Sequence, residues 1–204
     1  MNRRLARVAV ATAAFFGAAA IVGLLLRRSE EAGGYRGSSV PAGIALEPFA
    51  LNSYRGERVT SESLRGRVVA LTFLESQCKE ACPVIAFDIA RGVERLSASE
   101  RAQTAAVAIS VHPQDDTRAS VRAFLRRRRA LGKLDYLIGS AAELRPVWRR
   151  YYILSALESG NPNTHSASVH IYDRDGFWVS SLHPGVDLTP DNFAHDVRVA
   201  LRRS

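Results

Sequence analysis

The sequence predicts an α/β sandwich with a mixed central sheet. Two continuous apolar runs, residues 68–74 and 104–111, are typical of strands that are buried on both faces. A segment with helical spacing of its apolar residues follows each run, and a hairpin and a further helix end the chain. Strands that alternate with helices in this way indicate a sheet with helices packed on its faces.

Three segments in the middle of the chain have helical patterns. Residues 83–96 carry apolar side chains at helical spacing, with Pro83 at a position that tolerates proline only in the first turn. Residues 117–131 are amphipathic, and residues 141–151 form another predicted helix, although Pro146 lies within it. Helices with one apolar side are expected to cover the sheet.

A hairpin and a last helix complete the predicted fold. Residues 166–172 and 177–182 are predicted strands, and the polar turn at 173–176, which ends in glycine, joins them. Thr189 is a suitable N-cap for a helix over residues 190–201, whose first residue is a proline. The antiparallel hairpin makes the predicted sheet mixed rather than purely parallel.

Composition and charge exclude two classes of protein. Of the 204 residues 47% are hydrophobic, which is enough for a buried core and excludes wholesale disorder. The formal net charge of +8 would suit a nucleic-acid-binding protein, but five of the 28 basic residues lie within the first 28 positions, ahead of every acidic residue. The remainder carries 23 basic and 20 acidic residues, a net charge of +3. We therefore expect no nucleic-acid partner.

The N-terminal segment has the pattern of a membrane anchor. Residues 8–26 contain no charge and, as a helix, would span about 28 Å, close to a hydrocarbon core of roughly 30 Å. A cleaved secretory signal is the alternative, with the alanines at 18–20 as the cleavage site. Arginines ahead of the span favour a cytoplasmic N-terminus. We expect a single-pass protein of the bacterial inner membrane, with an anchor at 1–28, a linker at 29–46 and a periplasmic domain at 47–204.

The chain has two cysteines, Cys78 and Cys82, directly after the first predicted strand and at the start of the helix that follows it. An α/β fold exposes reactive groups at this place, beyond the carboxyl end of a strand. A helix N-terminus and the neighbouring Lys79 favour the thiolate form, whereas Glu75 and Glu80 disfavour it. Three uses of the pair are open: a structural disulfide, which would stabilise little because its loop is short, a redox-active dithiol, and a soft-metal site that needs a further ligand.

A histidine is the most suitable further ligand, and the chain has five. His165 lies in a polar turn just before a predicted strand, so it is placed at one edge of the sheet. His112 ends the second buried strand, on an edge that could also approach the cysteines. The others are placed within a strand, beside a turn and in the last helix: His170, His183 and His195.

Four motifs occur in order along the predicted domain. They are residues 66–74, Cys78-x-x-x-Cys82-Pro83, Ile109-Ser110-Val111-x-Pro113-x-x-Asp116-Thr117, and His165-Ser166-Ala167 ahead of residues 171–176. Together they resemble the Sco/SenC family from about Pro48 to the C-terminus. The resemblance implies a membrane-tethered, thioredoxin-like three-layer sandwich that binds a copper ion and assists assembly of the copper centre of cytochrome c oxidase. It also implies Cys78, Cys82 and His165 as the copper ligands.

The chain departs from the family pattern near the cysteines. Glu75 and Ser76 stand where the family has an aromatic residue and a threonine, and Lys79 stands where it commonly has proline. His112 replaces the usual aspartate. The implied ligands are retained, whereas surfaces for partner docking and redox tuning differ, so the client is either the oxidase copper-centre subunit or another copper or thiol protein.

The implied ligand set suits Cu(I), because two thiolates and one imidazole are soft and leave one side open for transfer of the ion. Formation of a Cys78–Cys82 disulfide would release the ion, so metal carriage and redox chemistry use the same two sulfurs. The main hypothesis is a copper chaperone without enzymatic turnover. The alternative is a periplasmic thiol–disulfide oxidoreductase that reduces client cysteines, which needs Cys78 and Cys82 as its redox pair but not His165.

Overall fold

A seven-stranded mixed sheet lies at the centre of the structure, a computed structural model that describes residues 34–153 and 168–203. In chain order the strands are β1 (Ala50–Ser53), β2 (Arg58–Thr60), β3 (Val68–Leu74), β4 (Thr104–Ser110), β5 (Asp135–Ile138), β6 (Val169–Tyr172) and β7 (Trp178–Leu182). Their order across the sheet is β2-β1-β5-β4-β3-β6-β7.

The centre of the sheet is parallel and its flanks are antiparallel. Strand β3 pairs with β4 along its whole length, so that Val68 lies opposite Thr104 and Leu74 opposite Ser110. Strand β4 also pairs in parallel with β5, while β6 and β7 on one side and β1 and β2 on the other pair antiparallel. Because β3, β4 and β5 run in the same direction, the loops that follow them meet at one edge of the sheet.

Helices cover both faces of the sheet and give three layers. They are α1 (Ala81–Arg95), α2 (Ala98–Ala102), α3 (Arg118–Arg127), α4 (Ala141–Arg150) and α5 (Pro190–Arg203). Alternate residues of β3 enter two cores: Val68 and Ala70 pack with α1, α3 and α5, whereas Val69 and Leu71 pack with α4. All seven residues of β3 are buried, as its apolar run predicts. The predicted α/β sandwich with a mixed sheet is confirmed.

The observed helix boundaries have local causes. Helix α1 begins at Ala81, which places Pro83 in its first turn, where a missing N–H costs nothing. Helix α3 ends at Arg127 rather than at 131, and Arg129, at a φ of 57°, adopts the left-handed conformation that ends helices. Pro146 lies within α4 without ending it.

Three short strands were not predicted from the sequence. Strands β1, β2 and β5 have only three or four residues each, and polar or charged side chains interrupt their apolar pattern. They join the sheet because their backbone groups pair with neighbouring strands, a contribution that hydrophobic periodicity does not report.

The folded unit begins at Tyr35. Ser38 and Ala45 form isolated bridges to Ser181 and Phe177, so part of the stretch interpreted as a linker lies along β7. Within residues 34–153 and 168–203, no helix has both the length and the apolar character to cross a membrane. The predicted span at 8–26 lies outside the described residues.

Candidate metal centre

The two cysteines lie where the parallel strands end. Strand β3 ends at Leu74, a short loop follows, and α1 begins at Ala81. Cys78 is half-buried in this loop, and Cys82 is fully buried in the first turn of α1. The backbone N–H of Cys78 donates to the carbonyl oxygen of Glu75 at 3.3 Å, which closes the loop into a tight turn. The predicted position of the pair, beyond the carboxyl end of the first buried strand, is confirmed.

The two sulfurs are in contact but are not joined in a disulfide. A hydrogen bond with Cys78 and burial raise the pKa of the Cys82 thiol far above its usual value, and a backbone hydrogen bond from Glu75 opposes this only in part. The hydrogen bond with Cys78 and burial therefore outweigh the backbone hydrogen bond that lowers the pKa of Cys82. The thiol is protonated at neutral pH in the metal-free protein, so coordination of a metal must release its proton.

A buried carboxylate, Asp116, connects the loop of the cysteines to the strands behind it. Its Oδ1 accepts from the backbone N–H of Ser76 at 2.8 Å, and its Oδ2 accepts from the Ser110 hydroxyl at 2.6 Å. The hydroxyl of Tyr136 lies 2.8 Å from the same Oδ2 and 2.7 Å from the Leu74 carbonyl oxygen. Burial and the charge of Asp116 raise the pKa of Tyr136 well above its usual value, so Tyr136 stays a hydrogen-bond donor.

Sequence reasoning did not identify this network. Ser110 and Asp116 belong to one motif, but their hydrogen bond was not predicted, and Tyr136 carried no signal. Ser110, Asp116 and Tyr136 meet because β3, β4 and β5 are adjacent in the sheet and end at the same level. The sequence around each residue gives no information about this arrangement. A buried aspartate with several donors is a rigid anchor, and here it fixes the backbone that presents Cys78.

His112 lies beside the same loop. Its Nδ1 is 3.0 Å from Asp115 Oδ2 and 3.9 Å from Glu75 Oε1. The backbone N–H of His112 donates to the Ser110 hydroxyl at 3.3 Å. Glu75 follows β3 directly and His112 stands two residues after β4, so the parallel register of the two strands brings them together. The expected approach of His112 to the edge of the cysteines is confirmed.

The remaining histidines are placed as follows. His165 lies outside the described residues, so its predicted role as a ligand stays a prediction. His170 stacks on Trp178 with ring centroids 4.3 Å apart, and burial lowers its pKa to about 4. His183 lies at a turn, 3.7 Å from the carboxylate of Asp187. His195 lies within α5.

The described chain resumes close to β3. The Thr72 hydroxyl donates to the carbonyl oxygen of Ser168 at 2.8 Å, and Ser168 stands directly before β6. Its side chain is 2.8 Å from His170 Nε2. The start of β6 is thus held against the strand whose end carries the cysteines.

The three-layer arrangement, with two cysteines at the start of the first helix after a central parallel strand, defines a thioredoxin-like protein with a dithiol site. The family model described as SCO1/SenC matches residues 40–202. The chain belongs to the SCO1/SenC family.

Several known proteins are similar to this chain. The SCO1 protein homolog of Bacillus subtilis (strain 168) is 26% identical over 165 residues, which cover 78% of this chain and 84% of the relative. The structure of Bradyrhizobium japonicum ScoI with copper bound has a TM-score of 0.65 and 27% identity, covering 78% of this chain and all of that one. The apo Sco1 protein of Thermus thermophilus shares the fold, with a TM-score of 0.67, 19% identity and coverage of 82% and 97%.

Proposed function

We propose that this chain is a membrane-anchored copper chaperone that binds Cu(I) through Cys78, Cys82 and His165. The contact between the two reduced sulfurs at the end of β3 carries the proposal. It is supported by membership of the SCO1/SenC family and by the copper bound to the Bradyrhizobium japonicum relative, which is 27% identical.

The chemistry of the donors fits Cu(I). Sulfur ligands are soft and favour Cu(I) over hard divalent ions. A metal ion replaces the proton of the buried Cys82 and compensates the negative charge that burial otherwise disfavours. Cys78 is less buried than Cys82 and gives the ion a route to solvent or to a partner. An imidazole as third ligand completes a low-coordinate site from which copper can be transferred.

Anaerobic Cu(I) titration of the full-length chain in detergent, against a chromophoric Cu(I) chelator, tests the site. We expect one Cu(I) per chain, with binding lost in Cys78→Ser and in Cys82→Ser. His165→Ala should weaken binding by about 10- to 100-fold, since loss of a group that orients or holds a metal has effects of this size. His195→Ala is the matched control and should bind as the wild type does. Unchanged affinity of His165→Ala would refute the three-ligand site.

The client that we propose is the copper-centre subunit of cytochrome c oxidase. The family to which the chain belongs supports this choice, and an open coordination side suits transfer. Mixing the Cu(I)-loaded chain with the metal-free copper domain of the oxidase subunit should move copper to that domain, as measured after the two proteins are separated. Retention of all copper by this chain would contradict the proposal and would leave another copper or thiol protein as client.

The charge pattern of the N-terminus supports an anchor at residues 1–28 with the folded domain in the periplasm. In bacterial cells a C-terminal alkaline phosphatase fusion should be active, because that enzyme folds only outside the cytoplasm, and it should fractionate with membranes. Active fusion in the soluble periplasmic fraction would show a cleaved signal instead. An inactive fusion would contradict the orientation.

The hydrogen-bonded thiols also support a second function, reduction of a client disulfide. Two thiols in contact can be oxidised to a disulfide while the disulfide of a client is reduced to two thiols. This activity needs both cysteines but not His165. A thiol–disulfide exchange assay with a disulfide-bonded client peptide therefore separates the two functions. If His165→Ala reduces the peptide at the wild-type rate but binds Cu(I) weakly, both proposed functions stand. If the wild-type protein does not reduce the peptide, the reductase function is excluded.

A further inference from the structure

A second group of metal-ligating side chains lies next to the cysteine loop. It consists of Glu75, His112 and Asp115, whose nearest ligand atoms all lie within 4.8 Å of one another. We propose that these three residues form a binding site for one divalent transition-metal ion, with Cu²⁺ as the preferred ion. This site is separate from the sulfur site. The proposal goes beyond copper binding by the cysteines and does not depend on it.

The distances suit a bridging ion. A metal with bonds of about 2.0–2.2 Å to nitrogen and oxygen can join ligand atoms up to about 4 Å apart. His112 Nδ1 is 3.0 Å from Asp115 Oδ2 and 3.9 Å from Glu75 Oε1, so both pairs lie within this limit. The carboxylate of Asp115 is half exposed and can rotate to close the remaining gap.

His112 supplies an independent indication of a ligand. Among the described residues no group makes a hydrogen bond of acceptable geometry with its buried Nδ1, although carboxylate oxygens of Asp115 and Glu75 lie 3.0 Å and 3.9 Å from it. A buried ring nitrogen without a hydrogen bond is costly. Coordination of a metal would satisfy its lone pair, and the two carboxylates stand where further ligands are needed.

Burial and charge favour a cation at this place. The side chain of Glu75 is only 8% exposed, and its Oε1 lies 3.9 Å from His112 Nδ1. Asp115 and Asp116 add two further carboxylates within the next loop. A cation bound between Glu75 and Asp115 would lie next to the buried carboxylate of Glu75, and the half-exposed Asp115 would add a second negative charge.

The donor set selects the class of ion. One imidazole and two carboxylates form a nitrogen–oxygen site, which suits divalent Cu, Zn or Ni, whereas Cu(I) prefers sulfur. Among first-row divalent ions such a site binds Cu²⁺ most tightly by the Irving–Williams order. The two neighbouring sites would thus differ in the oxidation state of copper that they accept. Glu75 and His112 are also positions at which the chain departs from the family pattern, so the site is a property of this chain.

The test removes the sulfur site first. The full-length Cys78→Ala/Cys82→Ala variant in detergent is titrated with Cu²⁺ against glycine as a competing ligand, and the bound ion is examined by electron paramagnetic resonance. We expect one tightly bound Cu²⁺ with nitrogen hyperfine splitting from an imidazole and no sulfur-to-copper charge-transfer band. Absence of tight binding in the folded variant would overturn the proposal.

Single substitutions in the same background identify the ligands. His112→Asn should weaken Cu²⁺ binding by about 10- to 100-fold, and Asp115→Asn should weaken it to a smaller degree. His183→Asn is the matched control, because His183 also lies beside a carboxylate, at 3.7 Å from Asp187, but away from the cluster. Equal affinities of the His112→Asn and His183→Asn variants would refute the site.

A second measurement covers the case in which the double cysteine variant does not fold. The wild-type chain with its cysteines oxidised to the disulfide is titrated with Zn²⁺, which is diamagnetic, and the imidazole resonances of all histidines are followed by NMR. The proposal requires the His112 resonances to shift first and to saturate at one equivalent. If the resonances of His183 or His195 shift first instead, the site is excluded. Failure of the reduced protein to bind Cu(I) would refute the proposed chaperone function but not this second site.

Discussion

Asp116 is buried between the ends of three strands, where its two carboxylate oxygens accept hydrogen bonds from a backbone N–H and from side chains of two other elements. The Ser76 N–H and the Ser110 hydroxyl are buried donors that depend on this one carboxylate, whereas the Tyr136 hydroxyl can also donate to the Leu74 carbonyl oxygen. The energetic role of Asp116 is therefore to keep buried donors satisfied, and its structural role is to hold the turn that carries Cys78.

Asp116→Asn should destabilise the protein by about 2–3 kcal/mol, because the amide group cannot accept at both positions and leaves a buried donor unsatisfied. Urea denaturation followed by circular dichroism measures the change. Asp175→Asn, at an exposed position in the β6–β7 turn, should stay within about 0.5 kcal/mol of the wild type. Equal stabilities of the two variants would show that the network contributes nothing.

His170 couples the stability of the sheet to pH. Burial lowers its pKa to about 4, whereas an unfolded histidine titrates near 6.5. Between these values the unfolded chain binds the proton and the folded chain does not, so stability is complete above about pH 6.5 and is lost as the pH falls towards 4. The expected contribution is about 3 kcal/mol.

The measurement compares the pH dependence of the free energy of unfolding in wild type and in His170→Gln. The loss of stability between pH 7 and pH 4 should be smaller in the variant, by an amount close to this contribution. His195→Gln is the matched control for the loss of a histidine at another place in the fold. Parallel curves for wild type and His170→Gln would refute the assignment.

At the scale of elements, α1 and α5 pack closely because Gly92 has no side chain. A Cβ atom at this position would lie 2.4 Å from Cδ1 of Phe193, which is fully buried on α5. Such an approach is closer than two carbon atoms tolerate, so either the helix or the aromatic ring would have to move. Helix α1 carries Cys82, and its position therefore depends on this contact.

Gly92→Ala should cost about 1–3 kcal/mol through overpacking, although alanine is the better helix former. Phe193→Ala removes the two closest atoms, Cδ1 and Cγ, so in that background Gly92→Ala should cost little or should stabilise the helix. A double-mutant cycle by urea denaturation should give a coupling energy of at least about 1 kcal/mol. Additive effects would show that the two residues do not compete for the same space.

The strands show which parts of the fold can be predicted from the sequence. Long apolar runs predicted β3 and β4, because a strand buried on both faces needs apolar side chains throughout. Strands β1, β2 and β5 were missed because hydrogen bonds to their neighbours, rather than an apolar pattern, hold them in the sheet. The position of the cysteine pair was predicted correctly, because a spacing of four residues at a strand–helix junction fixes that position locally. Asp116 and Tyr136 could not be paired in this way, because their contact depends on the register of three strands.

At the scale of the whole molecule, the proposed copper site joins distant parts of the chain. Cys78 and Cys82 lie between β3 and α1, and His165 is nearly ninety positions later in the sequence. The unfolded chain does not hold these ligands together. Copper bound by all three should therefore stabilise the native state of the whole domain rather than one loop.

Cu(I) at about 1,000 times its dissociation constant stabilises a native state by about 4 kcal/mol when the unfolded chain does not bind it. For a protein of this size, that raises the thermal midpoint by about 10 °C. Anaerobic differential scanning fluorimetry of the full-length chain, without Cu(I) and with free Cu(I) buffered at about 1,000 times its dissociation constant, measures the shift. The shift should vanish in Cys82→Ser and shrink in His165→Ala, and it should persist in Lys79→Ala, whose side chain is no ligand. A full shift in His165→Ala would mean that the local cysteine pair alone binds the ion, and the site would then not connect the two ends of the domain.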